Sequence, residues 1–291
     1  MRSGKPQRYP DTVQILTGED ERLILTLPFV LTEFTGVSLP PINVRSARAP
    51  DQHGSTVIDL VFQDRPVTMS LNVRGDCPEV LWARQRLLEN YLTPAKGSMR
   101  LRVLWGPGNY YELREVYFDS GLDIGIGDGS DPRNRQMPFR LVAHNPFWHG
   151  PEETNSDTSG GGAWNPTLTC QNEGNWYAYP TVSLTGPMDA GAQLEFDPAG
   201  GVVVISDAIP SGETWVVTTG FGERYVTDAA GDYVGLGEDT TLKLCYFTVD
   251  PIAADGNNTI ELTAAGTTVA TQLSIAWNNL WLGLGLDSDE V

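Results

Sequence analysis

The stretch His144-Asn145-Pro146-Phe147-Trp148-His149-Gly150, HNPFWHG, decides how the rest of the chain divides. It holds two of the three histidines, two large aromatics and a proline. It is either a chemical site or a joint between two domains. Asn145 stands before a proline, which pushes it into an extended conformation and ends a strand arriving from Ala143. Phe147 and Trp148 are then placed to pack where two domains meet. His144 and His149 flank the proline and share no helical face; no HExxH pattern or third ligand accompanies them. The expectation is two partly exposed histidines beside a turn, with no metal site.

Charge supports a boundary at the same place. Residues 1–150 carry 17 Lys+Arg against 17 Asp+Glu. Residues 151–291 carry only Arg224 and Lys243 against 20 acids, which accounts for the whole formal net charge of −18. The 291 residues suffice for two cores. The expected domains are therefore 1–150 and 151–291. An acidic surface repels phosphate, so specific nucleic-acid binding is not expected. Solubility, a basic partner or a salty habitat would each suit it. The start, MRSGKPQRYP, lacks the apolar run of a signal peptide, and the run from Leu23 to Leu31 is too short and interrupted to span a bilayer. Synthesis in the cytosol of the producing cell, without membrane insertion, is expected. Cys77, Cys170 and Cys245 are odd in number and far apart, which fits structural thiols rather than a disulfide framework or zinc pair.

Going outward, most of the chain reads as short strands between turns supplied by 31 Gly and 20 Pro. Before the joint, strands are expected at Thr12–Thr17 and Arg22–Leu27 around GEDE, and at Val57–Phe62 and Thr68–Val73 around Asp64-Arg65-Pro66. Met99–Leu104 and Tyr110–Tyr117 should pair around GPGN, and Gln136–Ala143 is a last strand. One helix is expected over Pro78–Leu92, with Asp76 as cap and Glu79 completing a capping box. Val80, Leu81, Leu87, Leu88, Tyr91 and Leu92 would form its apolar face. Gly121–Arg135 reads as a loop, and Glu152–Gly162 as a linker or exposed loop. After it, strands are expected at Thr181–Thr185, Gln193–Phe196, Val202–Ser206, Thr214–Thr219, Leu242–Val249, Thr259–Thr263 and Thr271–Trp277, with turns at DPAGG, IPSGE and ADGNN. The fold class is mainly β. It comprises an N-terminal barrel or sandwich with one helix and a C-terminal galectin-like or jelly-roll sandwich.

No catalytic set stands out. There is no GxSxG elbow, no histidine near a cysteine and no Walker loop. Acids are too common to single out a glycosidase pair, whose geometry the sequence does not give. No catalytic, metal or cofactor-binding residue is assigned, no cofactor is expected, and the chain is not read as an enzyme. The aromatics Trp164, Trp176, Tyr177, Tyr179, Trp215, Tyr225, Tyr233, Trp277 and Trp281 could stack on sugar rings or fill a core. Trp277 ends an alternating strand and is expected in the core.

The run EFTGVSLPPINVRSARAPDQHGSTV (Glu33–Val57), then QDRPVTMSLNVRG (Gln63–Gly75), RQRLLENYLTP (Arg84–Pro94) and a strand ending in NPFW together resemble the N-terminal domain of siphophage distal tail proteins. NEGNWYAYPTVSLTGP (Asn172–Pro187), GNNTIEL (Gly256–Leu262) and SIAWNNLWLGL (Ser274–Leu284) resemble that family's second domain. The resemblance implies a structural virion protein, forming a ring, usually a hexamer, at the distal end of the tail tube. Its partners would be copies of itself, the tail tube protein, the baseplate hub and receptor-binding proteins or host glycan. The segment Met1–Phe34 is longer and more polar than the resemblance suggests, and reads as an extra strand pair or an arm on a neighbour. The alternative is a carbohydrate-binding sandwich for host recognition.

Overall fold

The computed structural model describes residues 12–18, 21–104, 109–122, 133–220, 222–249 and 256–284. The GEDE, GPGN and ADGNN turns, and most of the Gly121–Arg135 loop, fall partly or wholly outside the described residues. The chain clusters into two compact units, one running to His149 and resuming at Leu282, the other spanning Gly150–Trp281. Leu282–Leu284, expected with the second domain, thus group with the first unit.

The first unit is built from β1 (Thr12–Thr17), β2 (Glu21–Ile24), β3 (Phe29–Thr35), β4 (Ile42–Ala47), β5 (Thr56–Phe62), β6 (Arg65–Arg74), α1 (Pro78–Leu92), β7 (Met99–Leu104), β8 (Tyr110–Gly121), β9 (Asn134–Ala143) and the start of β10 (Trp148–Thr158). Its strands run antiparallel in the order β2-β1-β7-β8-β9-β6-β3. β8 serves two neighbours: Tyr110–Leu113 face β7, and the stretch from Val116 onward faces β9. The change occurs at Glu115, whose φ of 52° gives a local bend in the strand. Thr12–Thr17 and Glu21–Ile24 pair with each other as β1 and β2 and join this sheet through β7, close to the strand pair expected there.

Two expectations change here. Val57–Phe62 and Thr68–Val73 do not form a hairpin: β5 pairs with β4, whereas β6 sits between β3 and β9. The reason lies in burial. β6 alternates with buried Val67, Met69, Leu71 and Val73, as a central strand should, while β5 is exposed almost throughout. Asp64-Arg65-Pro66 looked like a turn because it is polar, yet Arg65 already belongs to β6 and is 1% exposed.

α1 has its expected span. Its cap differs, because Cys77 takes the N-cap position with Pro78 in the first turn and no side-chain cap bond forms. Asp76 lies one residue too early to cap. The Glu79 carboxyl is held below its usual range by its own backbone N–H and by Cys77. The buried stripe is Leu81, Gln85, Leu88 and Leu92, with Leu87 exposed, so a glutamine replaces a leucine on the packed face.

The second unit continues β10 and adds β11 (Gly162–Trp164), β12 (Thr167–Gln171), β13 (Thr181–Thr185), β14 (Ala192–Asp197), β15 (Gly201–Ile205), β16 (Thr214–Gly220), β17 (Glu223–Thr227), β18 (Asn257–Thr267) and β19 (Gln272–Trp281). One layer orders β17-β16-β13-β19-β10; the other orders β11-β18-β14-β15, with β12 also on β18. One buried cluster, including Val182, Leu184, Leu194, Val203, Val217, Leu262 and Ile275, draws on strands of both layers, making a sandwich. Trp277 belongs to it, as the alternation of β19 predicts.

Glu152–Gly162 is largely strand, not linker: β10 runs to Thr158 beside β19. Its polar composition reflects a strand whose later residues mostly face solvent. Leu242–Val249 is not a strand. A 3-10 turn occupies Leu242–Leu244, and only Phe247 makes a bridge, to Ala178. Asn172 and Asn258 fill this region with hydrogen bonds that a ladder would otherwise supply, such as Asn258 Oδ1 accepting from Thr248 N at 2.7 Å.

Trp148 is the largest fully buried side chain among the described residues. Replacing it with alanine should destabilise the first unit by about 3–5 kcal/mol. Urea unfolding followed by circular dichroism checks this; a loss below about 1 kcal/mol would mean that the site collapses around the cavity.

Candidate assembly surface

Within HNPFWHG, Pro146 takes part in a clamp centred on Arg65. The guanidinium lies buried beneath the start of β6. Its Nε donates to Pro146 O at 2.6 Å, Nη1 to Gly36 O at 2.8 Å and also to Ser38 O, and Nη2 to Leu282 O at 2.5 Å. The ring of Trp148 lies 5.9 Å from the guanidinium carbon. Burial lowers the Arg65 pKa to about 10, so the group remains charged at neutral pH. Carbonyl dipoles from three distant stretches converge on the cation and replace its water.

The geometry around the clamp requires particular residues. Gly36 has φ +89°, and a Cβ there would collide with Pro66 O, so a larger residue would be both strained and blocked. Leu284 N donates to Val37 O at 2.8 Å, which holds the returning chain beside the same loop. Phe147 meets Phe62 edge to face, with centroids 5.6 Å apart. Gln63 N donates to Pro41 O at 2.8 Å. These contacts fix both feet of the hairpin formed by β4 and β5.

That hairpin is the least covered element of the first unit. In register, Ile42 faces Phe62 and Val44 faces Leu60, so these four share one side. Beyond the half-buried Phe62 the apolar row is open: Val44 is 53% exposed, Leu60 60% and Ile58, at a register shift, 68%. Asn43, Arg45 and Asp59 occupy the other side, together with Val61. No third strand pairs with either edge among the described residues. A two-stranded ribbon without a covered face is marginal in water.

The histidines part company. His144 is exposed and its Nδ1 lies 2.9 Å from Asp64 Oδ2. His149, expected to be partly exposed, is 8% exposed. Burial, aided by Arg114, lowers its pKa to about 3. It is neutral at pH 7, and its Nε2 meets no partner among the described residues. Across the strand from it is Glu112, whose carboxylate is 4% exposed and accepts from Arg102 Nη2 at 2.8 Å. Arg100 and Arg114 approach the same carboxylate at 3.7 and 3.6 Å. Local spacing does not mark this cluster, because its members come from two strands, β7 and β8.

In the second unit, Trp176, Tyr177, Tyr246 and Tyr179 form a chain of rings 5.0, 5.0 and 6.4 Å apart. Their planes are inclined by 54–62°, so they present no single flat face. Cys170 and Cys245 are buried, which raises both thiols to about 12. Among the described residues, no group of three His, Cys, Asp or Glu is placed to hold a metal, and no helix is long and apolar enough to cross a membrane.

In sequence, the helix-bearing antiparallel unit is interrupted by the β-sandwich unit, and the fold is similar to that of a phage protein of known structure. The chain superposes on Dit (gp 19.1) of phage SPP1 with a TM-score of 0.66 over 92% of this chain and 98% of that one, at 14% identity. SPP1 Dit is described as a paradigm of the hub adsorption apparatus in phages infecting Gram-positive bacteria. Chains of the phage p2 baseplate in its activated conformation, with Sr and with Ca, match at TM-scores of 0.46 and 0.45, each at 8% identity over 91% of this chain and 97% of theirs. No family model matches the sequence, and no curated protein matches it.

Two outcomes follow from the buried groups. Arg65→Met leaves four carbonyls without their donor and should cost about 3–5 kcal/mol of stability in the first unit. Proteolysis should then cut first near residues 36–64. Unchanged stability and cleavage would remove the clamp from the account. His149 has a folded pKa below its unfolded value, so the unfolded chain binds the extra proton between about pH 6.5 and 3. Stability should therefore fall as pH drops through that window, by at most about 1.4 kcal/mol per pH unit. His149→Gln should flatten that slope in thermal unfolding; parallel profiles would contradict the assignment.

Proposed function

We propose that this chain is a structural virion protein of a long-tailed phage. It assembles into a ring, with six copies as the expected number, at the distal end of the tail tube. The ring joins the tube to the baseplate hub and to the host-attachment proteins, at the tail tip of the virion. The protein acts by shape and contact rather than by catalysis.

The observation that carries this reading is the β4–β5 hairpin. Full burial of one Val, Leu or Ile side chain is worth about 1.5–3 kcal/mol. Ile42, Val44, Ile58 and Leu60 forgo much of that in a lone copy. An apolar row on a firmly anchored ribbon is what an interface presents before its partner arrives. A ring satisfies every copy in the same way, because each hairpin covers its neighbour and its own unit is covered in turn. The SPP1 Dit fold supports the setting. The even balance of Lys+Arg and Asp+Glu in residues 1–150 suits a unit that buries surface against its own copies.

Light scattering on the purified chain tests the proposal. Wild type should give a species about six times the 31.8 kDa chain mass, with a central opening in negative-stain images. The V44D/L60D variant should remain folded by circular dichroism and run as a monomer. A wild type that stays monomeric at roughly 100 µM, well above the Kd of a stable interface, would contradict the proposal.

A further inference from the structure

We propose that the groove on the outward face of β6, β9 and β8 binds a neutral pyranose sugar. The groove encloses about 450 Å3, within the roughly 300–1,000 Å3 of small-molecule sites. Arg140, Val142 and His144 alternate with the buried Phe139, Leu141 and Ala143, so the first three project away from the core and line the groove. Val142 stands opposite Pro66 on one side and Tyr117 on the other, which gives an apolar floor three strands wide. Tyr117 is 38% exposed, and its ring packs against His144 with centroids 5.2 Å apart.

Polar pairs close both ends of this floor. At one end His144 Nδ1 lies 2.9 Å from Asp64 Oδ2; at the other, Arg140 Nε lies 3.3 Å from Asp119 Oδ2. Each pair orients its members through one atom apiece and leaves the remaining atoms for a ligand. Among the described residues, His144 Nε2, Asp64 Oδ1, Asp119 Oδ1 and both Nη atoms of Arg140 meet no hydrogen-bond partner. Arg140 and His144 are separated by about 13 Å of extended strand, room for a sugar ring and its substituents. A pyranose has an apolar C–H face and a rim of hydroxyls that both donate and accept. The Tyr117–Val142–Pro66 floor suits that face. The guanidinium fork donates to neighbouring hydroxyls, and the carboxylates accept from them. Charge selects as well: two carboxylates against one guanidinium disfavour an anion, so a phosphate or a uronic acid is the poorer ligand. The site lies within the first unit and does not depend on the ring.

Calorimetric titration of the full chain at about pH 8 tests this. The probes are the methyl glycosides of glucose, galactose, mannose and N-acetylglucosamine, with methyl glucuronide as the anionic counterpart. At least one neutral glycoside should bind wild type with a Kd of about 5 mM or tighter. Tyr117→Ala and Arg140→Ala should each weaken that binding about tenfold or more, with both variants folded by circular dichroism. Trp176→Ala and Tyr233→Ala, in the second unit, should leave it unchanged. V44D/L60D should retain it, so that failure of this site and failure of the hairpin ring are read separately. The inference is overturned if no neutral glycoside binds at that strength, or if the Tyr117 and Arg140 variants bind like wild type. Loss confined to the second-unit variants, or tighter binding of the glucuronide than of every neutral glycoside, would overturn it too.

Discussion

One buried cation organises the first unit. Arg65 collects carbonyls from the loop before β4, from the turn before β10 and from the chain returning after β19. Those three segments are far apart in sequence, and no strand ladder joins them. Without the guanidinium each carbonyl would need water at a place that excludes it. The clamp also explains the position of the hairpin. Gly36 and Ser38 lead into β4, and Arg65 itself follows β5, so the group that ties the unit together also fixes both feet of its exposed ribbon. Rigidity at the base lets an apolar ribbon stand away from its own core without folding back onto it.

Some of this was legible in the sequence, and the reasons are local. β7, β13 and α1 have the spans that alternation or helical spacing predicts, because one face of each is more buried than the other. Polar strands were hidden. β10 after Pro151 reads as Glu-Glu-Thr-Asn-Ser-Asp-Thr, and nothing in those side chains reveals the neighbour that pairs with them. Pairing partners were hidden too. β5 and β6 are adjacent in sequence and both alternate, yet β6 turns to β3 and β9, because its buried residues need cover on both sides of the strand. Arg65 has the sequence signature of a turn residue, since it stands in a polar triplet with proline. Its role depends on carbonyls 27 to 217 positions away, which no local pattern encodes. His149 was hidden likewise: a histidine beside a proline gives no hint that a sheet will cover it.

The central claim is that a second copy covers the β4–β5 hairpin. Amide hydrogen exchange across residues 42–62, measured by mass spectrometry at protein concentrations below and above assembly, reads that cover directly. The account predicts that exchange in both strands slows on assembly, while β13 and β16, already inside the second unit's sandwich, change little. Equal exchange in the hairpin at both concentrations, in a sample that has demonstrably assembled, would contradict it and move the interface elsewhere.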